Sequence, residues 1–313
     1  MFQQRLVSPP ALTAPSVSCQ PNRVTPPREV IEVLPSLREA VSQLDSDLTK
    51  VSVQSELKAL LFGNKNWADW IATLPSPVSL KPIVLESGIG FERDDEFART
   101  LLVGLALSLQ PENFVPPYSV GNLAVTEVIA KGTATEYSHS ENDLPAPPHC
   151  AGFFEPVPPQ VCFFTCIRPH PGGGAETTVV NLERILEFAP QALIEEWENR
   201  EYQLRTSRRL GEQVLPFRLL QNVNGLPFLR YRKEYTVDFE QTRALCLLEE
   251  LITHPANHFI VPLKAGDTLI HWNGSPHSRM AQSGSTPVEI EARRKLIRCR
   301  SVPQTGWAEN FHQ

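Results

Sequence analysis

No stretch of this 313-residue chain approaches the roughly 20 apolar residues that a membrane-spanning helix needs, and Met1 to Pro10 lack the apolar core of a secretory signal. The expectation is a cytoplasmic protein with no membrane partner. A basic excess is missing too: 29 Lys and Arg stand against 35 Asp and Glu, a formal charge of −6. Phosphate backbones call for a basic surface, which argues against nucleic acid as a partner. The six cysteines (Cys19, Cys150, Cys162, Cys166, Cys246, Cys299) are scattered, and no second Cys or His pair joins Cys162 and Cys166 at zinc-site spacing. Buried reduced thiols are expected instead. Gly88-Ile89-Gly90 lacks the third glycine and the Lys-Ser/Thr of a phosphate loop, and there is no internal repeat.

What the chain does contain is an ordinary globular balance, 41% hydrophobic and 20% charged residues. Residues 1–27 hold six prolines among Ser, Thr and Gln and read as a flexible tail. Residues 28–313 read as a single domain. Its first part, 28–115, is helical: Val30, Leu34, Leu37, Val41 and Leu44 stand at helical spacing, a second run passes through Leu57, Leu60 and Leu61, and acidic residues open a helix carrying Phe97, Leu101 and Leu105. Trp67 and Trp70 anchor this packing. After Pro116-Pro117 the chain turns to strands, at 125–130, 160–167, 228–231 and 259–263. A helical region from Asn181 to Tyr202, broken at Pro190, and another around Leu245 and Leu248 interrupt them. Helices first and strands later read as a mainly β fold with flanking helices, a jelly roll or barrel wrapped by helices.

The residue types that carry chemistry gather in a few places. His139-Ser140-Glu141 sets an imidazole and a carboxylate at i and i+2, on one face of an extended strand, where both can reach one metal ion; a distant histidine can complete a facial triad. Such a histidine, His277, follows the turn Gly266-Asp267 and an apolar strand expected to end at it. Beyond it stand Arg294 and Arg298, four apart and so on one strand face, able to hold carboxylates through planar guanidinium forks. Arg293 and Arg300 are expected to point away.

In order along residues 118–302, these motifs resemble the iron(II)- and 2-oxoglutarate-dependent oxygenases of the taurine dioxygenase and clavaminate synthase superfamily. The matching segments are His139-Ser140-Glu141, the glycine-rich turn Gly172 to Thr177, Gly266-Asp267 through Asn273 to His277, and Arg294 with Arg298. Cys166-Ile167-Arg168 before the glycine turn also resembles the amino-acid hydroxylase branch. The resemblance implies a double-stranded β-helix (cupin-like jelly roll) and iron(II) held by His139, Glu141 and His277. It further implies 2-oxoglutarate as co-substrate, clamped by Arg294 and Thr177, with dioxygen as oxidant and Arg298 meeting an anionic group of a small amino-acid-like or carboxylate substrate. Hydroxylation, desaturation and cyclisation all fall within its chemistry.

Spacing opens a second account. His149 precedes Thr177 by 28 residues and His139 by 38, and the family spacing matches His149. Two residues after His149 stands Ala151, which cannot bind metal. Either His139 and Glu141 are ligands with an insertion of about ten residues behind them, or His149 pairs with His277 and Ala151 leaves a halide site, as in related halogenases. The first reading is preferred because it supplies a complete His-x-Glu. A rival outside catalysis is a metal-free β-helix protein that binds a small acid through its arginines.

Overall fold

The computed structural model describes residues 19–86, 95–109, 125–129, 145–155, 158–206, 213–223, 225–280 and 293–301. Gly88-Ile89-Gly90, His139 and Glu141 lie outside the described residues.

The centre of the fold is a six-stranded sheet. It is built from β1 (Asn22–Val24), β2 (Ile83–Leu85), β3 (Val125–Ile129), β5 (Val161–Arg168), β12 (Thr268–Trp272) and β14 (Lys295–Ser301), in the order β1-β2-β12-β5-β14-β3. A second sheet of four strands, β4 (Ala146–His149), β6 (Thr177–Val180), β11 (His258–Val261) and β13 (His277–Arg279), runs β11-β6-β13-β4. Pro147 and Pro148 fall in β4, at the edge of its sheet, where a missing N–H costs no ladder bond.

Strand periodicity decides what each face of the larger sheet meets. Val161, Phe163 and Ile167 of β5 pack with Ile270, Trp272, Ile297 and Cys299 against the helices α1 (Arg28–Val41), α2 (Val51–Gly63), α3 (Lys65–Thr73) and α4 (Asp95–Leu109). Cys162, Phe164 and Cys166, with the other parity, pack with Leu269 and Leu296 against Val179, Phe259 and Val261 of the smaller sheet. The sheets therefore enclose their own core while the helices cover the outside. Trp67 and Trp70 meet edge to face, 5.2 Å between ring centres, and are buried in the helical layer. A third core joins α5 (Leu182–Phe188), α6 (Gln191–Asn199) and α7 (Arg243–Thr253) to the paired strands β7 (Tyr202–Arg205) with β8 (Val214–Phe217) and β9 (Leu220–Val223) with β10 (Leu226–Leu229). Pro190 separates α5 from α6, as its missing N–H dictates.

Three expectations need correction. The stretch read as tail contains β1, which pairs in parallel with β2 and ties Asn22 N to Pro82 O at 2.8 Å. The strand before His277 does not end at that residue. β12 stops at Trp272, and residues 273–276 carry the chain across to β13 in the other sheet. Arg300 shares parity with Arg298 and is buried facing Glu155 (Nη1 to Oε1, 3.2 Å) rather than pointing away. All six cysteines are free thiols, and burial pushes Cys150, Cys162, Cys166 and Cys299 up to about 12.

His258 gives a pH test of this packing. Its Nε2 donates to Ile252 O (2.5 Å) and Thr178 Oγ1 donates to its Nδ1 (3.1 Å), while burial holds its pKa below the usual histidine value. The unfolded chain then takes up this proton first. Stability is present above about pH 6.5 and is lost as pH falls through the lower folded value. Urea midpoints at pH 7.5 and 5.5 should fall less in His258→Asn than in the parent protein.

Candidate active site

The antiparallel register of β13 on β4 sets His277 directly opposite His149. Directly opposed side chains leave a sheet on the same face. The two rings lie with centres 4.5 Å apart at 47°. His149 Nδ1 stands 2.8 Å from Pro147 O. A carbonyl only accepts, so Nδ1 carries the proton and Nε2 keeps its lone pair for a metal. His277 is buried, and its pKa lies well below the usual value, first because burial penalises the cation and then because His149, His271 and Arg298 add positive charge nearby. Neutral imidazole is the form that ligates. Phe164 edges against His277 with ring centres 5.3 Å apart.

Across the cavity from this pair, β14 and the residue before it supply the cations. Val128, Ala146, His149, Phe164, Thr177, His277, Ser278, Arg279, Arg294, Leu296 and Arg298 line one pocket between the sheets. Arg294 Nη2 donates to Thr177 Oγ1 at 2.6 Å, a bond that joins the two sheets. Arg298 Nε donates to Thr126 Oγ1 at 3.3 Å. Burial lowers both guanidinium groups to about 10, and neither has an ion-pair partner among the described residues. Both arginines are half-buried, a partly desolvated cation without a close counter-charge is costly, and an entering carboxylate relieves that cost.

The turns that carry these residues have local causes. Thr177 follows three successive left-handed residues, Gly173 (φ 72°), Gly174 (φ 73°) and Ala175 (φ 56°), which explains the glycine run. Gly266 (φ 89°) and Asp267 form the turn into β12, where Lys264 N donates to Asp267 Oδ2 (2.9 Å) and Cys166 N to Asp267 O (2.9 Å). The Gly-Asp motif thus fixes strand register and lies outside the pocket lining.

Of the sequence candidates, the structure brings together His149, His277, Thr177, Arg294 and Arg298. The imidazole it sets beside His277 is His149, while the preferred pair His139 and Glu141 falls outside the described residues. Ala151 is buried next to this site with no ligand atom to offer. Among the described residues no third His, Cys, Asp or Glu joins the two histidines in a metal-binding group. The imidazole pair is close enough to offer two ligands to one metal ion. Sequence reasoning missed Arg279, which lines the same pocket, although it stands two residues after His277 and period two places it on the same face.

Solved structures share this architecture. Asparagine oxygenase in complex with Fe(II), 2S,3S-3-hydroxyasparagine and succinate superposes with a TM-score of 0.73 at 17% identity, over 90% of this chain and 93% of that one. The non-heme iron oxygenase OrfP superposes with a TM-score of 0.67 over 90% of this chain and 94% of its own, at 15% identity in its complex with Fe and alpha-ketoglutaric acid and at 16% with Fe, succinate and (3S)-hydroxy-L-Arg. No curated protein sequence matches the chain. The family described as taurine catabolism dioxygenase TauD, TfdA family matches residues 87–299, well over half of the sequence. The chain belongs to the TauD/TfdA family of dioxygenases.

Proposed function

We propose that this protein is an iron(II)- and 2-oxoglutarate-dependent oxygenase acting on a small amino-acid-like or carboxylate substrate, with its two sheets as the halves of a double-stranded β-helix. The observation that carries the reading is the placing of Arg294, half-buried and bonded to Thr177, in the same pocket as the His149 and His277 pair. His149 and His277 would hold the iron. Glu141, which the sequence pairs with His139, lies outside the described residues. Bound there, iron with 2-oxoglutarate supplies the oxidising chemistry for which protein side chains alone have no equivalent.

The chain's own part is placement. Arg294 and Thr177 take the distal carboxylate of 2-oxoglutarate and direct its 2-oxo acid end toward the imidazole pair. Arg298 holds an anionic group of the substrate from the same strand, and Phe164 walls the site from water. Neighbouring structures that hold hydroxylated asparagine and arginine favour hydroxylation of an amino-acid-like molecule. They do not favour halogenation, which would rest on Ala151 alone.

Two measurements follow. Thr177→Val leaves Arg294 without its hydroxyl partner and should weaken 2-oxoglutarate binding roughly 10-fold with little change in thermal midpoint. With iron(II), ascorbate and 2-oxoglutarate, the protein should release succinate, and small carboxylic and amino acids should be screened for those that stimulate it. Stimulation should vanish in Arg298→Met while basal release persists. Absence of any iron-dependent succinate would overturn the oxygenase reading in favour of a metal-free acid-binding protein.

A further inference from the structure

The two imidazoles sit on separate strands, and their separation depends on how the turn after β4 is fixed to the loop before β13. One side chain ties the two together. Asn273, fully buried, accepts from Ala151 N through Oδ1 (2.8 Å) and donates through Nδ2 to Ala151 O (2.9 Å) and Pro159 O (2.8 Å). Its own N–H donates to Gln160 O at 2.7 Å. Ala151 follows His149 by two residues and Asn273 precedes His277 by four, so this amide closes a short path of chain and hydrogen bonds between the two rings.

The rest of the turn is built to keep that grip. Gly152 has φ +60°, and an added Cβ would come within 2.6 Å of Glu155 Oε1. Cys150 N donates to Tyr231 O (3.1 Å), and Arg230 Nε donates to Phe153 O (2.5 Å). With the backbone held on both sides, the amide of Asn273 sets where β4 ends relative to β13. Only an amide can accept from the N–H and donate to two carbonyls at once.

We infer that Asn273 is a positioning residue for the metal-binding imidazole pair, fixing His149 against His277 by clamping Ala151. The inference rests on the proposal that these two histidines bind the metal. Asn273→Asp keeps the shape but loses the paired donors. Such outer contacts to a metal site are worth roughly 10- to 100-fold in affinity.

The test uses the full chain with metal alone: cobalt(II) affinity by calorimetry and, on copper(II)-loaded protein, the number of coupled imidazole nitrogens by pulsed EPR. Trp197→Phe is the control for a structural loss, since Trp197 Nε1 donates to Ala244 O (3.2 Å) between helices α6 and α7. In the parent two imidazoles should couple. Asn273→Asp should bind cobalt(II) at least about 10-fold more weakly with the two-imidazole signal lost, while Trp197→Phe keeps both at a comparable loss of thermal midpoint. Asn273→Ser, which retains an acceptor for Ala151 N, serves the same test if the aspartate variant does not fold. Parent-like affinity and coupling in the Asn273 variants would overturn this inference alone. A parent without two coupled imidazoles would overturn it together with the metal assignment.

Discussion

Arg294→Met should raise the concentration of 2-oxoglutarate needed for half-maximal succinate release by roughly one to two orders of magnitude, because a hydrogen bond to a charged group contributes about 1.5–3 kcal/mol. Arg294 is half-buried, desolvation lowers its guanidinium to about 10, and its hydrogen-bond partner in the pocket is Thr177. Methionine fills similar volume, so the fold should survive. Arg294→Lys keeps the charge but not the fork, and should recover only part of the loss. Calorimetry with 2-oxoglutarate separates this from damage to the metal site: metal affinity should stay at the parent value in both variants. If Arg294→Met binds 2-oxoglutarate as the parent does, the co-substrate is held elsewhere.

His277→Ala should abolish iron binding and succinate release together. His277 faces His149 across the β13–β4 register and is kept neutral by burial. Removing one of two imidazoles leaves too few ligands for a divalent ion at working concentrations. Circular dichroism and thermal melting of the metal-free protein should stay near the parent, since His277 lies at a cavity wall. A variant that keeps stoichiometric iron would place the metal away from β13.

Much of the fold was legible because hydrophobic period reports directly on burial. The short, nearly continuous apolar run along residues 160–167 marked β5, the break at Pro190 separated α5 from α6, and the spacing of Leu57 and Leu61 marked α2. That Arg294 and Thr177 belong together came from the order of the motifs in the family resemblance, and the structure bonds the two side chains. What sequence could not show is pairing across strands. Which histidine meets His277 depends on the register of β4, a strand of only four residues with two prolines that carries no periodicity of its own. Spacing to Thr177 pointed to His149, whereas the complete His-x-Glu pointed to His139. Asn273 was visible as a motif letter, but its three bonds to Ala151 and Pro159 come only from the turn being folded against it.

Metal content therefore tests the account most directly. Purified metal-free His149→Ala and His139→Ala, each reloaded with iron(II) under anaerobic conditions, should differ sharply. His149→Ala should fail to retain iron and His139→Ala should retain it in a one-to-one ratio with protein. The opposite result, with iron lost from His139→Ala and kept by His149→Ala, would contradict the pairing of His149 with His277 as the metal site.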